Sequence, residues 1–164
     1  MRTGTSGRWQ RFAAGVLAVG LTAPTASAIA ATGRASAIII QAITVTETAP
    51  MSFAAVTPPP GGGMIVLTPA GTLSGSSGFV FYGTASPAAF HAHGAANYPA
   101  SVSISTGNVV TGPGLAMQLA TFAKTPANFD NAANLKFAIG ATLTINPNQA
   151  PGEYAGTFAV TVNY

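Results

Sequence analysis

From residue 152 to its end the chain reads GEYAGTFAVTVNY. Tyr154, Phe158, Val160, Val162 and Tyr164 fall on even positions, with Gly156 as a small gap. Glu153, Ala155, Thr157, Ala159, Thr161 and Asn163 fall on odd ones. Successive side chains of a strand point to opposite faces, so this period of two predicts a long, half-buried strand. Residues 135–145 alternate as strongly, with Leu135, Phe137, Ile139, Ala141, Leu143 and Ile145 on one face. Joined by the loop at 146–152, the two runs predict a long antiparallel hairpin.

Shorter apolar or alternating runs lie at 37–48, 51–56, 64–68, 79–82, 88–93, 101–105 and 115–123. The 88–93 and 101–105 runs are expected to pair across the turn at 94–99. In 115–123, Leu115, Met117 and Leu119 share a face. Gly, Pro and Asn clusters separate these runs, among them PPPGGG at 58–63, GPG at 112–114 and NPN at 146–148. No long helical period appears after residue 28. Short strands punctuated in this way predict an all-β sandwich or barrel. The stretch at 58–63 reads as a loop within one domain, because what precedes it is too small to fold alone. No internal repeat is visible.

The first 28 residues follow a different pattern. Arg2, Arg8 and Arg11 precede the apolar run 12–21, and Ala26, Ser27 and Ala28 supply small residues for cleavage. The run is shorter than the roughly twenty residues a spanning helix needs, so residues 1–28 read as a secretory signal peptide rather than an anchor. The chain is then expected to be exported, with no membrane insertion after cleavage.

Removing the signal changes the charge. The whole chain carries a formal +3, but residues 29–164 hold Arg34, Lys124 and Lys136 against Glu47, Asp130 and Glu153. They balance, so no basic patch remains to attract nucleic acid. The chain has no cysteine, so packing alone must hold it together. A charged fraction of 5% against 48% hydrophobic residues suits a surface largely covered by copies of itself.

Candidate chemistry is sparse. His91 and His93 share a strand face at i and i+2, the spacing of a chelating pair, but no Cys and few carboxylates exist to complete a zinc site. Phe90 and Ala92 are expected to point inward, leaving both histidines in solvent. No nucleophile elbow, phosphate loop or dinucleotide glycine pattern is present, so neither an enzyme nor a cofactor is expected. Tyr82, Phe90, Tyr98, Phe122 and Phe129 either line a sugar-binding face or fill the core, and a sandwich core needs such side chains.

The segment 29–41 matters most for function. Residues 29–36 are small and mostly polar, and they lead into Ala37, Ile38, Ile39 and Ile40. Such a segment either pairs as an ordinary first strand of its own domain or adds to the sheet edge of another copy. Strand addition between copies is head-to-tail and propagates as a fibre, which also occupies exposed sheet edges.

Five stretches carry a resemblance: residues 43–53 (ITVTETAPMSF), 86–90 (SPAAF), 94–98 (GAANY), 139–143 (IGATL) and 151–164 (PGEYAGTFAVTVNY). On these the chain resembles domain-of-unknown-function family 4402 of bacterial exported proteins. More distantly, its layout is similar to the spore coat protein U and archaic chaperone–usher pilin group. In that group an extended N-terminal strand precedes an L-x-F-G unit; here Met51, Ser52, Phe53 and Ala54 stand in that place, with Ala for Gly. The pilins often carry a disulfide, which this chain lacks.

The resemblance implies an immunoglobulin-like β-sandwich over 42–164 that lacks one strand, completed by the N-terminal segment of a neighbour. Ala35, Ala37, Ile38, Ile39, Ile40 and Gln41 are then the donor, filling the groove through Ile38 and Ile40 or through Ala37 and Ile39. The expected function is that of a non-enzymatic, pilin-like subunit of a surface filament or coat. Its partners are copies of itself, with a periplasmic chaperone and an outer-membrane usher implied by the resemblance. The alternative is a monomeric secreted or periplasmic binding module, with carbohydrate as its ligand.

Overall fold

The period-two runs rich in Val, Ile, Thr and Phe become strands, and the Gly, Pro and Asn clusters become the turns between them. The computed structural model describes residues 34–164; residues 1–28, expected to be a signal peptide, and residues 29–33 lie outside the described residues. Eleven strands follow in order: β1 (Thr44–Ala49), β2 (Ala55–Thr57), β3 (Gly63–Leu67), β4 (Leu73–Gly75), β5 (Val80–Tyr82) and β6 (Ala88–His93). Then come β7 (Ser101–Ile104), β8 (Asn108–Val110), β9 (Met117–Lys124), β10 (Asn134–Ile145) and β11 (Val160–Asn163). No helix occurs among the described residues, and every strand pair is antiparallel.

The long strand β10 organises the main sheet. Ile139 pairs with both Lys124 of β9 and Ala88 of β6, and Leu143 with both Leu119 of β9 and Ile65 of β3. So β9 lies along one edge of β10, while β6 and β3 share the other edge end to end. β8 extends the sheet beyond β9, β4 beyond β3, and β1 beyond β6. Gly140 sits where β3 hands over to β6. A Cβ there would lie 2.1 Å from the Leu67 carbonyl oxygen, so only glycine lets the backbones approach this closely.

A β7–β11 pair and a β2–β5 pair supply the opposing surface. Val102 of β7 and Val162 of β11 pack on Ala88, Ala92, Leu135, Phe137 and Ile139 with Phe129. At the other end Val56, Phe79 and Phe81 pack on Ile65, Met117, Leu119, Ala141, Leu143 and Ile145. Ile65, Leu67, Leu135 and Ile139 are the largest fully buried side chains.

The pairing expected at two places is corrected. β10 and β11 form no hairpin: β10 is flanked by β9, β6 and β3, and β11 pairs with β7. Nor does β6 pair with β7 across the 94–99 turn. In both cases the loop carries the chain from one layer to the other. Two strands that face each other across a core alternate just as two hydrogen-bonded neighbours do, so the period cannot separate these arrangements.

Three extents also differ. The strand expected at 37–48 runs from Thr44 to Ala49, and residues 34–43 carry no strand. The expected closing strand is regular only at β11, with an isolated bridge from Ala155 to Thr111. In β9, Met117 and Leu119 are buried, but Leu115 lies outside the strand and is 70% exposed. There the register shifts opposite Gly140 and Thr142, and Thr121 takes a positive φ of 48°. Both features fit a bulge that interrupts the alternation.

Candidate functional site, an apolar groove beside a free strand edge

An edge strand normally buries one face, yet β1 is exposed along nearly its whole length. Its pairing with β6 places Val45 opposite Ala92 and Glu47 opposite Phe90, so these two side chains belong to the core-facing side. Among the described residues no strand lies over them. A groove of about 1070 Å³ opens there. One wall is formed by β1 and the stretch from Pro50 to Val56, the other by residues 149–158 and Val160. Phe90, Met117, Leu119, Leu143 and Ile145 line it between the walls.

The groove is bordered by backbone with unused hydrogen-bonding capacity. β1 has β6 on one side and no strand on the other among the described residues. On the opposite wall, Ala155 exchanges both backbone bonds with Thr111, at 2.8 and 3.0 Å, and the Ala159 carbonyl accepts from the Ser105 amide at 2.9 Å. Backbone groups of an extended chain alternate sides, so those of Tyr154, Gly156 and Phe158 are directed away from these partners, toward the groove. Among the described residues, each wall thus presents a backbone edge with no strand partner on the groove side, and an apolar floor lies between the two.

Local chemistry fixes both walls. Ala54 adopts φ 57°, the left-handed region glycine favours, and its amide donates to Ser52 Oγ at 3.2 Å. Tyr154 is half-buried; its hydroxyl donates to the Ala150 carbonyl and accepts from the Gly114 amide, both at 2.8 Å. Phe158 bridges the two halves of the core, packing on Phe122 and edge-on to Phe90.

None of the predicted donor residues belongs to a strand. Ala35 and Ala37 are exposed and belong to no strand. Ile38 and Ile39 are 86% and 96% exposed, and Ile40 is 38% exposed. The Gln41 carbonyl accepts a hydrogen bond from the Tyr164 hydroxyl, and Ile43 packs against the core. Tyr164 also accepts from the Ala95 amide at 2.7 Å and packs against Tyr98 and Phe129. The even-numbered residues of the final stretch divide by role: Tyr154, Phe158 and Val160 line the groove, Val162 is buried in the core, and Tyr164 secures the start of the domain.

The other candidates are dispersed. Phe90, Phe122 and Phe129 pack in or against the core, whereas Tyr82 is exposed on β5 and Tyr98 meets Tyr164 edge-on. They form no common face. His91 and His93 are half-buried rather than freely exposed, on the side of β6 opposite Phe90 and Ala92. The register places His93 between Thr44 and Asn134, and His91 between Thr46 and Lys136, with His91 Nε2 3.1 Å from Asn134 Oδ1. No group of three or more potential metal ligands occurs among the described residues. Sequence reasoning did not single out Glu47, and it named residues 51–56 as a strand and Met51, Ser52, Phe53 and Ala54 as a motif without placing them on a groove wall.

An all-β antiparallel domain with an open, strand-shaped groove defines the class of protein. The chain belongs to the family described as Domain of unknown function (DUF4402), whose model matches residues 43–164. Comparison with curated proteins and with solved structures returns no match.

Proposed function

We propose that this protein is a structural subunit of a bacterial surface filament or coat, in which the segment 35–41 of one copy fills the groove of the next. The observation that carries the reading is the pairing of two incomplete features in one chain. The groove runs over a floor of core side chains, with the half-buried Phe90, between two backbone stretches that have no strand partner on the groove side among the described residues, and the segment exposes Ile38 and Ile39. An added strand would satisfy both edges with main-chain hydrogen bonds and bury isoleucines on the floor. Each buried isoleucine contributes roughly 1.5–3 kcal/mol before ordering costs.

An immunoglobulin-like sandwich lacking one strand accommodates this arrangement. Tyr154, bonded back to the carbonyl four residues upstream, resembles the tyrosine corner of such folds. The match begins at residue 43, just after the proposed donor, as expected if the donor serves a neighbour rather than its own core. The reading needs export, with assembly at the cell surface by a chaperone and usher or by another route. It needs no catalytic group.

Deleting residues 29–40 tests it, because Gln41 and its bond to Tyr164 remain. The expected outcome is loss of multimers with the thermal unfolding midpoint unchanged. A large fall in that midpoint would contradict the reading, since the segment would then complete its own domain, as in a monomeric binding module.

A further inference from the structure

We propose that Arg34 of one copy docks against Glu47 of the next, and that this contact sets the direction and register of the inserted strand. Ile38 and Ile40, rather than Ala37 and Ile39, then enter the groove. The inference rests on the strand-exchange reading above and names the residues that make it specific.

Charge is scarce in this chain, which makes its placement informative. Of the three acidic residues after position 28, two, Glu47 and Glu153, line the groove. The only charged residue between positions 29 and 46 is Arg34. Glu47 pairs with Phe90, whose ring stacks on Phe137 at 5.3 Å and meets Phe158 edge-on at 6.4 Å. A strand laid across this apolar surface would strip water from the carboxylate, so the guest must bring a cation.

Parity then selects the buried set. Glu47 is on the core-facing side of β1, so a residue that reaches its carboxylate inside the groove shares a face with the residues that enter the floor. Counting from Arg34, that face carries Ser36, Ile38 and Ile40, while Ala35, Ala37, Ile39 and Gln41 face outward.

Direction follows from the position of Glu47. The groove reaches only to Val45 and Val160 beyond the Glu47–Phe158 level, whereas Met51, Phe53, Leu119, Leu143, Met117 and Ile145 lie on the other side. From Arg34 at Glu47, Ile38 and Ile40 fall about 13 and 20 Å along an extended chain. Only a strand running in the direction of β1, antiparallel to residues 154–158, keeps both isoleucines over that floor. It also sets Ser36 opposite Gly156, so a small side chain meets the gap in the wall. Anchoring Arg34 at Glu153 would instead carry the isoleucines toward Val160 and leave the deepest apolar floor uncovered.

The test measures the fraction of full-length, processed protein that migrates as multimers without boiling. Ile38→Asp and Ile40→Asp are each expected to lower that fraction roughly ten- to hundredfold, and Ile39→Asp to leave it nearly unchanged. Ile38 and Ile39 are almost fully exposed and lie outside every strand, so their substitution is expected to leave the fold intact; for Ile40, which is 38% exposed, an unchanged thermal unfolding midpoint is the control. Arg34→Glu and Glu47→Arg are each expected to lower it about two- to fivefold, and the double variant to restore it. Glu153→Arg should have no effect. Loss of multimers with Ile39→Asp but not Ile38→Asp, failure of the double variant to restore them, or an effect of Glu153→Arg alone would overturn the register while leaving strand exchange standing. Absence of multimers in the unsubstituted protein would overturn both.

Discussion

At the scale of single residues, the close backbone approaches carry the fold. Gly140 lets β3 and β6 follow one another along a single edge of β10, and a methyl group there meets the Leu67 carbonyl rather than a flexible side chain. Gly140→Ala is therefore expected to destabilise the domain by about 1–3 kcal/mol, read as a lowered denaturation midpoint in urea at unchanged slope. Tyr154 acts through its hydroxyl, which joins Ala150 to Gly114 across two loops. Tyr154→Phe keeps the ring and removes both bonds, so a loss of about 1–3 kcal/mol is expected, with the Gly114 amide left without its partner. An unchanged midpoint in either variant would contradict the role assigned to that residue.

At the scale of elements, the sequence disclosed strand existence better than strand partnership. Residues 135–145 alternate because one face of β10 is buried from end to end, and that face was legible. Its partners were not, since alternation records which side chains are inward and says nothing about which edge meets which. The same limit applies to β11, whose inward residues were correctly placed although its partner is β7. β4 and β8 were missed because three-residue strands carry too few positions to show a period. The donor candidates were legible as an apolar run after a small, polar one. The groove was not, because its floor is ordinary core sequence, with Met117, Leu119, Leu143 and Ile145 themselves buried. Glu47 remained hidden for a related reason: a charge on an alternating edge strand reads as solvent-facing until its pairing with Phe90 is known.

At the scale of the whole molecule, the proposed strand exchange would turn two features that are liabilities in a monomer into one device. A free edge beside an apolar groove invites strand addition, and an exposed isoleucine run invites burial. Head-to-tail use of both removes each liability and generates a fibre, because the contact does not close on itself. With no cysteine in the chain, such a fibre is held without covalent links, by a strand whose removal exposes the whole groove at once. The resulting stability is kinetic, set by the barrier to withdrawing that strand. The most direct measurement is electrophoresis of the processed protein from its host, unboiled beside boiled. The account predicts a ladder of multimers in the unboiled lane that collapses to one monomer band on boiling. A single monomer band in both lanes would contradict it.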